Sequence, residues 1–213
     1  MIVVVEGPSA AGKTTWCRRH ADLWLPEPGR WPWEEILRYQ LDRWRQATEA
    51  DAHGRVVVLD GDPVKLYYAW AQLKLGLISD DAWRAEVERV RALFLIGQFG
   101  LPDLVLYADP GADELARRKE TDHTRARRNF DLHLVMAPHF GTWFEALAAL
   151  EPDRVRWEHP ESGLDPELLA LGRRRNRSDV NQLDALLDGL QRRRSSPPPN
   201  RPRANGDGAT GAP

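Results

Sequence analysis

A short glycine-containing loop near the start of the chain carries the clearest chemistry in the sequence. Residues 7–14 read G-P-S-A-A-G-K-T and match the pattern G-x-x-x-x-G-K-[ST]. Its glycines let the backbone wrap around phosphate groups, its N–H groups and Lys13 supply positive charge, and the Thr14 hydroxyl can bind Mg²⁺. We therefore predict a binding site for a nucleoside triphosphate and Mg²⁺, formed by Gly7, Ala10, Ala11, Gly12, Lys13, Thr14 and Thr15.

Two carboxylates follow an apolar run in the middle of the chain. Asp60 and Asp62 come directly after residues 55–59, which read R-V-V-V-L. Mg²⁺ takes oxygen ligands and usually keeps several waters. We expect one of these aspartates, together with Thr14, to place the metal ion through water, and we favour Asp60 because it directly follows the apolar run.

Arginines surround a polar stretch at residues 120–124. Cations on a segment of this kind can close over a phosphoryl group during its transfer. We predict an Arg-rich lid in which Arg125 and Arg128 are catalytic and Arg117 contacts the donor nucleotide. The alternative is a solvated helix face. The arginines concerned are Arg117, Arg118, Arg125, Arg127 and Arg128.

Several large aromatic residues are candidates for stacking on a flat acceptor. At helical spacing such side chains also suit a hydrophobic core, and both interpretations stay open here. His123, His133 and His139 lack metal-ligand spacing, and we expect them to be structural. Cys17 is expected to be a small buried hydrophobic residue. The aromatic candidates are Trp31, Trp33, Tyr67 and Trp70.

Strands and helices alternate along the chain. Short apolar segments predict strands over residues 1–6, 23–25, 55–59, 104–107 and 154–157. Amphipathic spacing predicts the helices between them. Because these strands are apolar on both faces, we predict an α/β protein with the P-loop NTPase fold, a five-stranded parallel sheet with helices on both faces and an Arg-rich lid.

The end of the chain differs from the rest in composition. We predict a kinase domain over residues 1–171, a C-terminal helical extension over 172–191, and a disordered Pro/Arg/Gly-rich tail over 192–213. Arginines at 173–175, 177 and 192–194 suit a solubilising or helix-capping role. Contact with nucleic acid is the alternative.

Composition limits the location and the class of the protein. A single cysteine cannot form an intrachain disulfide, and no apolar run approaches the roughly 18 residues that span a bilayer. We therefore expect a cytoplasmic protein that does not bind membranes. The chain also lacks the guanine-reading N-K-x-D motif of GTPases, and ABC-type and helicase motifs, which leaves the small P-loop kinases.

Within that class the chain resembles the deoxynucleoside kinases and their thymidylate kinase relatives. The resemblance rests on V-E-G at residues 5–7, P-E-P-G-R-W at 26–31, the position of Gln40, P-D-L-V-L-Y at 102–107, and the aromatic pair within 140–143. It implies that Glu27 is the base for the acceptor hydroxyl and that Gln40 reads a nucleobase. Substrate contacts are accordingly expected from Glu27, Trp31, Gln40 and Tyr67.

One position departs from the family pattern. The family has an arginine after the acidic end of the third strand, and that arginine helps to hold the acceptor. Here the sequence is D-G-D, with Gly61 at that place. Arg30, Arg38 and Arg43 are the candidates to replace it.

The expected activity is ATP-dependent transfer of the γ-phosphoryl group to a hydroxyl of a nucleoside-like small molecule. The expected cofactors are ATP and Mg²⁺. The expected catalytic residues are Lys13, Glu27, Asp60, Arg125 and Arg128. Alternatives are a nucleoside monophosphate kinase and an antibiotic or secondary-metabolite phosphotransferase. A regulatory or nucleic-acid-associated nucleotide-binding protein is a further alternative. We expect a small-molecule acceptor and no nucleic acid as partner, and we allow for a homodimer.

Overall fold

Five parallel strands form the sheet at the centre of the molecule, in a computed structural model that describes residues 1–28, 33–121, 129–172 and 176–194. The strand order is β2-β3-β1-β4-β5, and every neighbouring pair is parallel. The predicted α/β fold with a five-stranded parallel sheet is confirmed. The strands are β1 (Ile2–Glu6), β2 (Trp24–Leu25), β3 (Val57–Asp60), β4 (Leu104–Tyr107) and β5 (Val155–Arg156).

Helices cover both faces of this sheet, as predicted. Val3 and Val5 pack against Trp16 of the first helix, whereas Ile2 and Val4 belong to the larger core on the opposite face. This alternation explains why β1 is apolar throughout. The helices are α1 (Lys13–His20), α2 (Trp33–Ala52), α3 (Leu66–Lys74), α4 (Asp80–Leu95), α5 (Ala112–Thr121), α6 (Phe130–Leu150), α7 (Pro166–Ala170) and α8 (Val180–Arg194).

Strand register brings the chemically important segments to one edge of the sheet. Val5 of β1 is paired with Asp60 of β3, and Leu25 of β2 with Leu59. Because parallel strands end at the same edge, the loops that follow β1, β2 and β3 emerge side by side. The phosphate-binding loop, Glu27 and the two aspartates thus reach one place from three separate parts of the chain.

Local contacts determine the ends of two of the helices. Helix α4 ends at Leu95, because Gly97 has φ 71° and its N–H donates to the carbonyl of Phe94. Helix α7 was not predicted at all. It is short, begins with Pro166, and is capped by Asp165, whose carboxylate accepts from the N–H of Leu168.

The last helix is part of the hydrophobic core. Leu183, Leu186 and Leu190 of α8 are all fully buried within the larger core cluster. Helix α8 continues to Arg194, so the predicted boundary at residue 191 falls inside it; residues 195–213 lie outside the described part of the chain. No described helix is long and apolar enough to cross a membrane.

Arg177, in the Arg-rich segment before α8, makes an internal ion pair and does not serve solubility alone. Its guanidinium donates to both carboxylate oxygens of Asp103, at 2.9 and 2.6 Å, and to Asp51 at 2.7 Å. Asp103 also accepts from the N–H of Ile2 at 2.6 Å. The arginine thereby fixes the start of α8 to the amino-terminal edge of the sheet.

Replacing Arg177 by methionine is expected to lower the free energy of unfolding by about 3 kcal/mol, because Asp103 would stay buried without its cation. Chemical denaturation measures this directly. The matched control is Arg45→Met: Arg45 pairs with Glu49 on the surface, and its loss should change stability little. Equal effects of the two substitutions would contradict a structural role for Arg177.

Candidate functional site

The loop after β1 has the backbone geometry of a phosphate-binding loop. Ala10 and Gly12 have positive φ values of 72° and 96°, and the carbonyl of Gly12 accepts from the N–H of Trp16 in α1. Gly7 is required for a different reason. A Cβ at this position would lie 2.3 Å from the carbonyl oxygen of Ala108, so no side chain fits.

Lys13 and Thr14 stand at the start of α1, where the sequence motif requires them. The ammonium of Lys13 donates to the carbonyl of Gly7 at 2.6 Å and lies 3.3 Å from that of Pro8. The Thr14 hydroxyl donates to a carboxylate oxygen of Asp60 at 2.7 Å. Asp60 is therefore the aspartate that lies beside the Mg²⁺ ligand predicted from the motif.

Glu6, at the end of β1, was not assigned a role from the sequence. Its side chain is fully buried, and it accepts from the N–H of Gly7 at 2.9 Å, the N–H of Asp62 at 3.0 Å and the hydroxyl of Tyr67 at 2.9 Å. One carboxylate thus joins the phosphate-binding loop, the end of β3 and helix α3. Only the V-E-G junction pointed to this residue.

The carboxylates near Thr14 fit a divalent cation. Burial and the neighbouring Glu6 raise the pKa of Asp62 to about 6, and burial likewise raises the pKa of Asp60. A cation would relieve this excess of buried negative charge. No cluster of three or more acidic, histidine or cysteine ligands occurs in the described residues. Mg²⁺ does not need one, because it takes few protein ligands and completes its shell with water and phosphate.

Glu27 forms an ion pair with Lys65, a residue that the sequence prediction missed. Lys65 immediately precedes α3 and has φ 59°, a strained value for a residue other than glycine. A Cβ on Gly61 would lie 3.2 Å from the Lys65 ammonium and 3.3 Å from the Glu27 carboxyl carbon. The absence of a side chain at position 61 thus leaves the space that Lys65 enters.

The pair keeps both groups charged. Burial opposes ionisation of Glu27, but the cations of Lys65, Lys13 and Arg43 outweigh it and hold the pKa of this carboxyl at about 2. Glu27 therefore stabilises the folded chain above about pH 4.5, and that contribution is lost as pH falls from 4.5 toward 2.

Two cavities lie on either side of the phosphate-binding loop. The first, which we call the inner cavity, has a volume of about 820 Å³, and its walls include Gly7, Lys13, Glu27, Gln40, Lys65, Tyr67, Tyr68, His133 and Phe140. The second, the outer cavity, has a volume of about 440 Å³, and its walls include Ala10, Ala11, Gly12, Thr15, Trp16, Arg118 and His159. The loop can therefore present phosphate groups between two bound molecules.

Gln40 lines the inner cavity, and Arg43 lies behind it. Both side chains are buried, and Arg43 donates to the amide oxygen of Gln40 at 2.6 Å. Arg43 also donates to the carbonyls of Leu25 and Asp60 at 2.9 and 2.8 Å, which holds the ends of β2 and β3 together. This arginine is committed to the backbone, and Lys65 is the cation that accompanies Glu27.

The aromatic candidates divide between the cavity and the core. Tyr67 lines the inner cavity and packs edge-on against Phe140. Tyr68, which was not singled out, lines the same cavity and stacks on Phe140 at a centroid distance of 6.0 Å. Trp70 instead belongs to the core cluster, beside Trp83. His133 was expected to be structural, yet it is on the cavity wall.

Arg118 and His159 approach the loop on its outer side. Arg118 donates to the carbonyl of Ala11 at 3.2 Å, whereas Arg117, on the exposed side of α5, pairs with Glu114. His159 donates from Nε2 to the carbonyl of Glu6 at 2.9 Å. Of the two arginines of α5 in the predicted lid, Arg118 contacts the phosphate-binding loop. Arg117, which was predicted to contact the donor nucleotide, pairs with Glu114 instead.

Part of the predicted site lies outside the described residues. Trp31 and Arg30 fall in the gap at residues 29–32. The arginines at 125, 127 and 128 fall in the gap at 122–128, so the greater part of the predicted lid stays a prediction.

Comparison with solved structures identifies the fold. A deoxyadenosine kinase from M. mycoides with bound dATP matches with a TM-score of 0.55 and 12% sequence identity, covering 90% of this chain and 100% of that chain. A second structure of deoxyadenosine kinase from M. mycoides, with the products dCMP and a flexible dCDP, has a TM-score of 0.50 and 11% identity over the same shares of the two chains. No family model and no curated protein matches the sequence. The chain thus has a deoxynucleoside kinase-like P-loop kinase fold.

Lys65→Met is expected to raise the pKa of Glu27 by about one unit or more, since it removes the closest cation from a partly buried carboxylate. NMR titration of ¹³C-labelled glutamate in both proteins, from about pH 1.5 to about pH 7, measures this change. Lys74→Met is the matched control, because Lys74 lies over the Trp70 ring. An unchanged Glu27 titration in the Lys65 variant would refute the pairing.

Proposed function

We propose that this protein is an ATP-dependent kinase that transfers the γ-phosphoryl group to a hydroxyl of a nucleoside-like small molecule. The observation that carries the proposal is the placement of the phosphate-binding loop between two cavities, with a carboxylate in the inner one. An enzyme that moves a phosphoryl group from one small molecule to another needs two such spaces that meet at the phosphates.

The outer cavity suits the donor nucleotide. Its walls include the loop residues Ala10, Ala11 and Gly12, together with Thr15 and Arg118. Arg118, already in contact with the loop, would neutralise charge on the phosphates together with Lys13. Thr14 and Asp60 would hold Mg²⁺, which neutralises charge between the phosphates when bound.

The inner cavity suits the acceptor, with Glu27 placed to accept a hydrogen bond from its hydroxyl. A carboxyl with a pKa of about 2 is a weak base. Glu27 is therefore best suited to orient the hydroxyl and to take its proton late in the transfer, when the oxygen has become acidic. Lys65 holds the carboxylate in one position and would keep it ionised at every physiological pH.

The two solved structures with a similar fold support a nucleoside as the acceptor, because both proteins are deoxyadenosine kinases. The size and aromatic lining of the inner cavity agree with a flat base. Use of ATP rather than another nucleotide, a cytoplasmic location and a homodimer are further predictions for this protein.

A nucleoside monophosphate is the second candidate acceptor. Two ammonium groups, those of Lys13 and Lys65, line the inner cavity and suit an acceptor phosphate. Glu27 opposes this, because its carboxylate is ionised and would repel a phosphate dianion. The hydroxyl acceptor is therefore preferred, and the Glu27 experiment below separates the two.

Lys13→Ala is expected to reduce acceptor-dependent ADP release by about 100-fold or more, because Lys13 supplies charge to the phosphates. ADP release is measured with ATP and Mg²⁺ in the presence of candidate acceptors, which are nucleosides, nucleoside monophosphates and hydroxylated natural products. Lys74→Ala, at a lysine of α3 whose ammonium lies over the Trp70 ring, should keep the parent rate. A Lys13 variant that folds normally and retains near-parent turnover would overturn the kinase proposal.

Glu27→Gln is expected to lower kcat for a hydroxyl acceptor by about 100-fold or more with little change in KM, since the lost interaction develops mainly in the transition state. Steady-state kinetics with nucleosides and monophosphates side by side provide the measurement. If the variant keeps its rate, or uses monophosphates better than the parent does, the acceptor is a phosphate and the second candidate is preferred.

A further inference from the structure

Three charged side chains of α5 form a connected series that ends at the phosphate-binding loop. Arg117 donates from Nε and Nη2 to the two carboxylate oxygens of Glu114, both at 2.7 Å. The Oε1 atom of Glu114 also accepts from Nε of Arg118 at 2.6 Å, and Nη1 of Arg118 donates to the carbonyl of Ala11 at 3.2 Å. Glu114 therefore holds Arg118 on one side while the loop holds it on the other.

The spacing of the three residues decides which arginine reaches the nucleotide. Positions 114, 117 and 118 are three and four residues apart, so their side chains are neighbours on the helix surface. The Arg117 side chain is 66% exposed, whereas that of Arg118 is 41% exposed and lines the outer cavity. Arg117 thus acts on that cavity only through Glu114 and Arg118.

Arg118 keeps donors for a bound anion while it is held. A guanidinium carries five N–H groups, and within the part of the chain that the structure describes one of them donates to Glu114 and one to Ala11. Nη1 lies close to the backbone of the loop, since a Cβ on Gly12 would be 3.7 Å away from it. A phosphate on the loop would therefore meet a guanidinium that has already lost its rotamer freedom, which lowers the entropic cost of binding.

Arg117 balances the charge that Glu114 brings to this place. Hydrogen bonds from Arg117 and Arg118 hold the pKa of Glu114 at about 2, so the carboxylate is ionised at neutral pH. Two guanidinium groups and one carboxylate leave the series with a net positive charge. Without Arg117, the carboxylate would cancel the charge of Arg118 beside the outer cavity.

We propose that Glu114 and Arg117 are positioning residues that hold the Arg118 guanidinium against the phosphate-binding loop before the donor nucleotide binds. Arg118 contacts the phosphates, and the other two act only through it. The inference rests on the proposed function for the identity of the molecule in the outer cavity.

Glu114→Gln tests the proposal, because the two effects of this substitution on nucleotide affinity have opposite signs. Removal of a negative charge alone would strengthen the binding of an anionic nucleotide. Release of Arg118 would weaken it, since the guanidinium must then be ordered on binding. We expect the dissociation constant of ATP, measured by calorimetry with Mg²⁺ and without an acceptor, to rise by about fivefold.

Asp113→Asn is the matched control. Asp113 is the neighbouring residue in the first turn of α5 and is exposed, so its substitution removes the same charge without releasing Arg118. ATP binding should stay within about twofold of the parent or become tighter. Exposed ion pairs on a helix contribute little to stability, so thermal denaturation should show both variants folded and close to the parent.

A double-mutant cycle with Arg118→Ala assigns the effect to Arg118. The Arg118→Ala substitution should itself weaken ATP binding. In that background Glu114→Gln should cause no further loss, because the side chain that it releases is already absent. A purely structural role of Glu114 in α5 would instead give the same loss in both backgrounds.

The outcomes separate this inference from the proposed function. Unchanged or tighter ATP binding in Glu114→Gln, an equal loss in Asp113→Asn, or a loss that persists in the Arg118→Ala background overturns the inference and leaves the kinase proposal standing. The expected pattern in a protein that binds ATP but phosphorylates no acceptor supports the inference and overturns the kinase proposal. Absence of ATP binding by the parent protein overturns both.

Discussion

The buried carboxylate of Glu6 is the constraint on which the site depends. A carboxyl group buried away from water is unfavourable unless hydrogen bonds compensate it, and Glu6 obtains them from Gly7, Asp62 and Tyr67. Those three groups belong to the phosphate-binding loop, the end of β3 and α3. Because this carboxyl group accepts all three hydrogen bonds, the loop, the end of β3 and the wall of the inner cavity hold fixed positions relative to one another.

Opposite charges then arrange the rest of the edge. Lys65 reaches Glu27 from the start of α3, while Arg43 ties the ends of β2 and β3 from behind. Lys65 contacts the loop after β2, whereas Arg43 contacts the ends of both β2 and β3. As a result, the Glu27 carboxylate is ionised and lies on the wall of the inner cavity, and the Gln40 amide is held in one orientation by Arg43. Neither the charge of Glu27 nor the orientation of Gln40 arises from a single local motif.

The sequence predicted the parts of this arrangement that depend on local pattern. Residues 7–14 form a continuous motif between a strand and a helix, and apolar runs mark the strands, so the sheet and the loop followed directly. Asp60 was found because it ends a strand. Lys65 was missed because it lies 38 residues from Glu27 along the chain, and the two side chains meet only in the folded protein. The orientation of Gln40 likewise depends on strand ends that no helical pattern can reveal.

The two outermost strands, β2 and β5, are each only two residues long. An exposed strand edge is a template on which another chain can pair, and the risk grows with the length of that edge. The valine-rich segments of β1 and β3 have the composition that favours such pairing, but both are enclosed between neighbours inside the sheet. Intermolecular association through the sheet would therefore require partial unfolding first, which makes the short edge strands a protection against aggregation.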